Sequence, residues 1–435
     1  MRMEQRASHQ VLCADMKSFY ASVEAVDMGL DPLTTKLAVV GDVNRSGSVV
    51  LAATPAMKKE HNIRTGSRLF EIENINDSSI HVVQARMRRY LEQSNRVTDI
   101  YRSYVPEEAL HVYSVDESWL TLDGTEHLWG GAWKTAESIQ RRLLREMGLT
   151  VTIGIGENKF MAKMALDIYA KKHGIAETTG GQFAAHFHHL PLREMWGIGE
   201  GIASRMERRL CYTIGDLAAE PVEVLEKEFG VLGRQVWLQA HGIDDSPVFY
   251  DPEAPPDVAF SFDRGSSNAG IKSVGRGVTL LRDYARRPEI RQVIRDLVEE
   301  VAEQLRRRKL IGRTVHLSMR YSRETAGRGF SRQKSFHQFW TNDVDDLYLQ
   351  ALALFDTYYA TRAVVRKIRV SVSGLAPEYE RFSFDEKREK KKQLWRTMDA
   401  VNERYGRGTI RTGAGFTKAS IQETRSRKVG GHYSG

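Results

Sequence analysis

A proline-rich segment just past the middle of the chain strongly constrains the possible fold. The stretch SPVFYDPEAPPD, residues 246–257, contains four prolines, which a helix interior or a central strand does not accommodate. The chain of 435 residues is also too long for one ordinary core. We therefore predict roughly two to four domains, with a domain boundary at this segment.

The composition excludes several classes of protein. With 41% apolar and 28% charged residues and no long uninterrupted apolar stretch, the chain is typical of a soluble globular protein rather than a membrane or disordered one. The apolar run VLCA near the N-terminus is too short for a signal peptide, so we expect a cytoplasmic protein. Cys13 and Cys211 have no metal-ligand spacing, so neither a zinc site nor a disulfide framework is predicted.

Short apolar runs alternate with helical patterns in the first 245 residues. HQVLCADM is typical of a buried strand, and SFYASVEAVDMGL continues it as a helix after a tight turn. LHVYSVDESWLTL and LTVTIGIG predict further strands between helices, which indicates an α+β core. Residues 187–245 have the pattern of a small all-helical unit.

The positive charge is concentrated in the last two-fifths of the chain. Residues 1–261 carry 28 Lys and Arg and 36 Asp and Glu, a net charge of −8. Residues 262–376 carry 22 and 12, or +10, and residues 377–435 carry 14 and 8, or +6. This asymmetry suggests that the C-terminal part binds a polyanion, although a solvated basic surface would have the same composition.

The basic part also has clear structural patterns. An amphipathic helix is predicted from apolar residues spaced three and four apart between Ile290 and Leu305. RTVHLSMRYS and RKIRVSVSGL alternate as strands with one apolar face and one basic or hydroxylic face, which suits contact with phosphates. The Gly-, Ser-, Thr- and Arg-rich stretch from about Gly406 is predicted to be disordered.

Three carboxylates stand out as candidate metal ligands. Asp15 ends the first predicted strand just before a helix N-terminus, where a carboxylate could hold a cation and the helix could receive an anion. Asp116 and Glu117 are adjacent between two apolar segments, and a divalent ion would relieve the repulsion between them. Each feature alone is also compatible with a helix cap or a solvated turn.

Taken together, these motifs resemble a known family. LCADMKSFYASVEA, YSVDESWLTL, TVTIGIGENKFMAKMALDIYAKKHG and REMWGIGEGIASRMERRLCYTIGDL occur in the same order in Y-family DNA polymerases of the UmuC and DinB type. The resemblance extends from about residue 9 to residue 405. It implies a DNA-directed DNA polymerase for low-fidelity translesion synthesis, DNA repair, mutagenesis and the SOS response.

The resemblance implies an α+β multidomain fold with the right-hand arrangement of a polymerase. Its parts are a ferredoxin-like palm, small fingers, a helical thumb with a helix-hairpin-helix, and an α/β little finger that binds DNA. The expected boundaries are residues 1–30 and 80–175 for the palm, 31–79 for the fingers, 176–247 for the thumb, 248–264 for a linker, 265–376 for the little finger, and 377–435 for a C-terminal clamp-binding candidate, a helix and a basic tail.

The resemblance also assigns the catalytic metal site. Asp15, Asp116 and Glu117 become the ligands of two Mg²⁺ ions, with the backbone carbonyl of Met16 as a further oxygen, and Mn²⁺ could substitute. Two such ions would hold the deoxynucleoside triphosphate and activate the primer 3′-hydroxyl. Lys17 stands where many relatives have an acidic or amide residue, so it is not counted among the ligands.

Nucleotide contacts follow from the same alignment. Lys59 takes the position of a basic fingers residue that contacts the triphosphate, with Lys58 as its close competitor, and Lys171 takes that of a second contact. Tyr20 is the expected steric gate under the sugar, and Phe19 would point into the core, although a one-residue rotation of the helix could exchange the two. ATPAMKK lacks the aromatic residue found in many relatives, which leaves the base and sugar contacts open.

Two further contacts involve macromolecules. The turn Gly197-Ile198-Gly199 resembles a helix-hairpin-helix that binds a phosphate of the primer-template DNA. Phe382 and Phe384 lie where family members often bind a replication sliding clamp, but they could equally pack the following helix onto the little finger. We expect a monomer that does not bind membranes.

Two alternative functions can be distinguished from a DNA polymerase by features of the sequence. A catalytically inactive relative would have lost the carboxylates, and this chain keeps all of them. A nucleotidyl cyclase could use a similar acidic palm, but it would not need a helix-hairpin-helix and a basic DNA-binding domain.

Overall fold

The chain folds into two compact units. The computed structural model describes residues 9–75, 77–249, 271–323, 325, 327–337, 339–378, 386–429 and 431–434. The N-terminal unit comprises Met1–Gly265 and His432–Gly435, and the C-terminal unit comprises Ser266–Gly431. Within the described ranges, no helix is both long enough and apolar enough to cross a membrane.

The N-terminal unit alternates strands and helices, as the pattern of apolar runs predicts. Its strands are β1 (Val11–Met16), β2 (Lys36–Val40), β3 (Val50–Ala53), β4 (Ile80–Gln84), β5 (Leu110–Val112), β6 (Glu117–Thr121), β7 (Val151–Gly156) and β8 (Ile175–Glu177). Its helices are α1 (Phe19–Asp27), α2 (Pro55–Glu60), α3 (Met87–Arg102), α4 (Glu126–Trp129), α5 (Ala132–Met147), α6 (Lys159–Ala165), α7 (Lys171–His173), α8 (Gly180–Phe187), α9 (Glu200–Glu207), α10 (Ile214–Ala219), α11 (Val222–Phe229) and α12 (Val231–Ala240).

A five-stranded sheet forms the centre of this unit, in the order β5-β6-β1-β7-β8. β1 is antiparallel to both of its neighbours, and its register places Asp15 opposite Glu117 on β6 and opposite Thr152 on β7. The predicted strand VLCA is fully buried because β1 is the middle strand and is covered on both faces. Leu12 and Ala14 face the core to which α3 and α5 contribute, and Val11 and Cys13 pack with Ala162 of α6. The sheet therefore fixes the backbone positions of two of the predicted metal ligands.

Helix α6 lies unusually close to β7, and two glycines permit this approach. A Cβ atom at Gly154 would lie 2.1 Å from the carbonyl oxygen of Ala162, and one at Gly156 would lie 2.5 Å from the amide nitrogen of Ala162. Any larger residue at either position would clash with the helix backbone. After α6 the chain continues as a π-helical turn, Leu166–Ala170, and then as α7, so this contact also positions Lys171.

A smaller sheet in the order β3-β2-β4 forms a separate lobe with α2. Thr54 caps α2 by accepting a hydrogen bond from the Met57 amide, and Pro55 occupies the first turn. Val40, Met57 and Ile80 belong to the small apolar core of this lobe.

The last part of the N-terminal unit is helical, as predicted for residues 187–245. Helices α8 to α12 share a core that includes Phe183, Phe187, Leu217 and Val236. Unlike the alternating region before it, this part contains no named strand among its described residues from Gly180 to Ala240.

The C-terminal unit is a four-stranded antiparallel sheet with helices on one face. Its strands are β9 (Ser273–Tyr284), β10 (Leu310–Tyr321), β11 (Phe330–Ser335), β12 (Val365–Pro377) and β13 (Lys428–Val429), and its helices are α13 (Arg287–Arg307), α14 (Val344–Tyr358), α15 (Glu386–Tyr405) and α16 (Gln422–Ser426). A short strand β14 (His432–Tyr433) lies in the N-terminal unit. The order of the main sheet is β11-β10-β12-β9.

The two-faced character predicted for this sheet is confirmed. Val315, Leu317 and Met319 of β10 are buried with the apolar residues of β12 and α13 in one core, whereas Arg320 and Arg369 are exposed on the other face. The predicted amphipathic helix is α13, and all of its apolar stripe from Ile290 to Leu305 is buried.

The prediction of a disordered tail from Gly406 is wrong for the described residues. The stretch contains a 3₁₀ turn, Gly413–Phe416, and helix α16. It is held by polar contacts to α13: Ser420 Oγ and the Ile421 amide both donate to the fully buried carboxylate of Asp296, and Arg425 pairs with Glu300. A composition poor in apolar residues does not prevent order when a neighbouring helix offers buried carboxylates.

Candidate active site

A cleft of about 800 Å³ opens at the end of β1, between the central sheet and the small lobe. Of the described residues that line it, the acidic ones are Asp15 and Asp116, the basic ones are Lys17, Lys58, Lys59, Arg64 and Lys171, and the aromatic ones are Phe19 and Tyr20. Most of the site residues predicted from the sequence therefore meet in one place. The excess of cations makes the cleft suitable for a polyanionic ligand.

The chain turns sharply between β1 and α1, and this turn sets the floor of the cleft. The Met16 amide donates to the carbonyl of Asp116, and the Lys17 amide donates to that of Thr150, so both flanking segments hold the turn. Ser18 adopts the left-handed conformation with φ +50°, which is unfavourable for a residue other than glycine. Such strain is maintained where the surrounding structure determines the backbone, often at functional sites.

The predicted metal ligands differ in their surroundings. Asp15 and Asp116 line the cleft, and Asp116 Oδ1 accepts a hydrogen bond from Ser114 Oγ at 2.6 Å. Glu117 does not line the cleft: its Oε1 lies 2.7 Å from Lys163 Nζ, and both side chains are largely buried. Lys163 was not selected from the sequence, where it reads as an ordinary helix residue.

Two lysines and Asp167 link the carboxylates into a chain of alternating charge. Lys163 Nζ lies 3.3 Å from Asp167 Oδ2, and Lys171 Nζ lies 2.7 Å from Asp167 Oδ1. Lys171 Nζ also lies 3.3 Å from Asp15 Oδ2. The spacing of four residues between Lys163, Asp167 and Lys171 could have indicated this chain of charges, because residues four apart share a helix face.

Burial and charge shift the pKa values of this group. Burial raises the pKa of Asp15 to about 6, Lys171 opposes this rise, and Asp116 adds to it. The pKa of Lys163 is raised although burial alone would lower it, because the negative groups around it, including Glu117 and Asp167, favour the ammonium form. The raised pKa of Asp15 shows that the native fold stabilises its charge less than water does.

The donor atoms at this site suit a hard divalent cation. Carboxylate oxygens and the carbonyl of Met16 are the ligands that Mg²⁺ and Mn²⁺ prefer, and an added cation would offset the cost of ionised Asp15 beside Asp116. In the described part of the chain, no three acidic, histidine or cysteine side chains converge on one point. Lys171 and Lys163 instead occupy the positions next to Asp15 and Glu117.

Comparison with known proteins agrees with this geometry. Residues 14–167 match the model of the impB/mucB/samB family, and residues 271–383 match that of the impB/mucB/samB family C-terminal domain. The putative UV-damage repair protein UvrX of Bacillus subtilis is 40% identical over 98% of this chain and 97% of its own length. DNA polymerase IV 2 of the same organism is 34% identical over 97% and 98%, and DNA polymerase IV of Moorella thermoacetica is 32% identical over 94% and 97%.

The chain belongs to the Y family of DNA polymerases. A solved Y-family DNA polymerase chimera has the same fold, with a TM-score of 0.65 and 20% identity over 85% of this chain and 100% of the chimera. The predictions of a Y-family polymerase and of the enzyme class, DNA-directed DNA polymerase, are confirmed. Family membership also removes the support for a nucleotidyl cyclase.

The sequence predicts Lys59 as the triphosphate contact of the small lobe, but it is Lys58 that reaches the cleft floor. Lys58 Nζ lies 2.8 Å from Ser18 Oγ, whereas Lys59 is exposed at the cleft rim. Burial lowers the pKa of Lys58. The cap at Thr54 fixes where α2 begins, and this could have indicated which of the two lysines faces the cleft. Arg64 also lines the cleft, but no sequence pattern indicates it.

The two aromatic residues of the polymerase's first helix have different environments. Phe19 is 3% exposed and belongs to the central core, with atoms at the cleft wall. Tyr20 is half-buried, lines the cleft and stacks on Tyr90, with ring centroids 4.3 Å apart. Of the two, Tyr20 is the more exposed.

The remaining predicted contacts are those of the Gly197-Ile198-Gly199 turn with DNA and of Phe382 and Phe384 with a clamp. Gly197 has φ +93°, Ile198 is buried and Gly199 caps α9, but the segment before this turn is a 3₁₀ turn, Leu192–Glu194, rather than an α-helix. None of the three lines the cleft. Phe382 and Phe384, like most of the predicted linker 248–264, lie outside the described residues.

Proposed function

We propose that this polymerase performs low-fidelity, template-directed translesion synthesis at the cleft beside Asp15. The observation that carries the proposal is that Asp15 and Asp116 line a basic cleft, while Glu117 lies opposite Asp15 on β6 and just behind the cleft lining. A cleft with this charge pattern can bind the triphosphate through its cations while the carboxylates hold the catalytic metal ions.

We assign the parts of the hand to the observed units. The central sheet with its helices is the palm, the small lobe around β2 is the fingers, and α8 to α12 form the thumb with the Gly197-Ile198-Gly199 turn as its phosphate contact. The C-terminal sheet is the little finger. We propose the boundaries 1–30 and 80–175, 31–79, 176–247 and 265–376 for these parts; β4 (Ile80–Gln84), which pairs with β2 of the small lobe, then falls in the second palm segment.

The proposed chemistry divides between the carboxylates and the cations. Asp15, Asp116, Glu117 and the Met16 carbonyl would hold two Mg²⁺ or Mn²⁺ ions, which when bound lower the pKa of the primer hydroxyl and neutralise phosphate charge. Lys171, which now pairs with Asp15, would transfer its interaction to the triphosphate. Lys58, Lys59 and Arg64 approach the same space from the small lobe and would orient the phosphates.

Tyr20 is the proposed steric gate against ribonucleotides. Its ring forms part of the cleft wall one residue into α1, close to the turn that would receive the phosphates. A nucleotide held there would place its sugar over the ring, and a 2′-hydroxyl would clash with it. Phe19 supports the core beneath rather than contacting the sugar.

Other properties stay predictions. They are the clamp contact through Phe382 and Phe384, the monomeric state, the cytoplasmic location and a role in the SOS response. Clamp-stimulated synthesis by a Phe382→Ala, Phe384→Ala variant would test the first of these, and equal loss with and without clamp would favour a packing role.

Primer extension tests the metal-site assignment directly. Asp116→Ala and Glu117→Ala should abolish nucleotide incorporation and leave primer-template affinity largely unchanged, because binding depends on basic surface elsewhere. Glu108→Ala, which removes an exposed carboxylate ahead of β5, is the matched control and should extend normally. Extension at the wild-type rate by both site variants would show that the metals are held elsewhere.

A further inference from the structure

The Tyr20 ring lies against a second aromatic ring from another helix. Tyr90 of α3 stacks on Tyr20 with a centroid distance of 4.3 Å and an angle of 14° between the ring planes. Tyr20 lines the cleft, whereas Tyr90 is fully buried behind it. Any movement of the Tyr20 ring away from the cleft would therefore push against Tyr90.

Tyr90 is itself held in place by an ionic network around the buried carboxylate of Glu24. Its hydroxyl donates to Glu24 Oε1 at 2.6 Å, and Glu24 is 4% exposed. Arg86 donates to both Glu24 oxygens, at 2.9 and 2.7 Å, and also to Asp27. Hydrogen bonds to an ionised acceptor are stronger than neutral ones, and the paired contacts from Arg86 fix the carboxylate in orientation as well as distance.

The spacing of residues along α1 and α3 explains why the ring stack and the hydrogen bond to Glu24 form at the same place. Tyr20 and Glu24 are four residues apart on α1, and Arg86 and Tyr90 are four residues apart at the start of α3. Residues four apart lie on one helix face. The two helices thus present a ring and a charged group to each other.

We propose that Tyr90 is a positioning residue for sugar selection, which holds the Tyr20 ring in the path of a ribonucleotide 2′-hydroxyl. The inference rests on the proposed placement of the incoming sugar over Tyr20. A steric barrier excludes a ligand only if it does not yield, because a ring that can retreat relieves the clash. The stack on a buried ring, itself hydrogen-bonded to Glu24, removes that freedom.

Single-nucleotide insertion kinetics with matched ribo- and deoxynucleotides test the proposal. Tyr90→Leu removes the supporting ring and should lower the ratio of deoxy to ribo kcat/KM by about tenfold, the scale of discrimination by shape. Tyr90→Phe keeps the ring and loses only the hydrogen bond, so most of the discrimination should be restored. If Tyr90→Leu does not fold, Tyr90→Met carries the same test with a side chain that fills more of the space.

The control is a buried tyrosine from the same region that does not touch Tyr20. Tyr104 follows α3, is 4% exposed and packs against Trp129. Tyr104→Leu creates a comparable defect and should leave the deoxy-to-ribo ratio unchanged. An equal fall of the ratio in Tyr104→Leu and Tyr90→Leu would overturn the proposal in favour of a general loss of packing.

Two variants of Tyr20 separate this inference from the function on which it rests. Tyr20→Ala should lower the ratio at least as much as Tyr90→Leu, and the double variant should lower it no further, because Tyr90 acts through Tyr20. An unchanged ratio in Tyr20→Ala would refute the proposed gate, and the inference with it. A lowered ratio in Tyr20→Ala with a wild-type ratio in Tyr90→Leu would refute the role of Tyr90 alone.

Discussion

Lys163 Nζ lies 2.7 Å from Glu117 Oε1, with the lysine side chain only 7% exposed. Asp15, Glu117 and Asp167 lie close together here, and Lys163 contacts both Glu117 and Asp167. The pair explains how the Glu117 carboxylate can be buried, because the ammonium group of Lys163 supplies its counter-charge. It also means that the ammonium group and the carboxylate depend on each other.

Replacing this lysine should destabilise the protein in a metal-dependent way. Lys163→Met leaves buried carboxylates without a counter-charge, and we expect a loss of about 3 kcal/mol in the free energy of unfolding when EDTA is present. Excess Mg²⁺ should recover part of the loss, since a bound cation supplies the missing charge. Urea denaturation with and without metal measures both values. Lys172→Met, which removes an exposed neighbour, should have little effect.

The raised pKa of Asp15 predicts that the site costs stability at neutral and higher pH. Its pKa of about 6 in the fold exceeds the ordinary value of 3.8, so ionisation is disfavoured in the native state and the metal-free protein loses stability as pH rises through this window. Asp15→Asn should therefore raise the free energy of unfolding by about 1 to 3 kcal/mol near pH 8, with a smaller gain near pH 5. Thermal melts in EDTA across this range would detect the trend.

Asp27 provides a control of opposite sign. Its hydrogen bonds from Arg89, and also from Arg86, hold the pKa of the Asp27 carboxyl below its ordinary value. That carboxylate therefore contributes stability above its ordinary pKa and loses the contribution as pH falls. Asp27→Asn should destabilise the protein near pH 8, and a stabilising effect there would contradict this prediction.

The open face of the C-terminal sheet should account for much of the salt dependence of DNA binding. Arg320, Lys367 and Arg369 are exposed on this face, and replacing all three with Ser should lower the slope of log affinity against log salt by about two to three. A matched variant removes exposed Lys387, Lys390 and Arg404 from α15, which packs on the helical side. Equal slopes for the two variants would refute the assignment of this face.

The buried carboxylate of Asp296 should control the order of the C-terminal tail. Asp296→Ala leaves the Ser420 hydroxyl and the Ile421 amide without their acceptor, and we expect a loss of about 2 to 4 kcal/mol. Residues after Tyr405 should also become sensitive to limited proteolysis. Asp296→Asn retains an acceptor oxygen and should protect the tail nearly as well as the native residue.

Local patterns in the sequence indicated much of the fold and part of the site. The position of Asp15 at the end of an apolar run identified β1, and strict spacing of apolar residues identified α13. The ordered tail was missed because it is held by charged groups, which have no periodicity to detect. The spacing of Lys163 and Asp167 indicates a charge pair on one helix face, but the burial of Lys163 depends on Glu117 of β6, which is distant in sequence.

The close contact between Gly154 of β7 and the backbone of α6 matters for anyone who redesigns this enzyme. The helix carries Lys163, and the chain continues from it directly to Lys171, so a methyl group at Gly154 would displace both ammonium groups together. Lys59, which is exposed at the cleft rim, takes no part in this contact. A combinatorial library should leave the two glycines of β7 unvaried, because substitutions there would destabilise the fold and inactivate the enzyme whatever their effect on specificity.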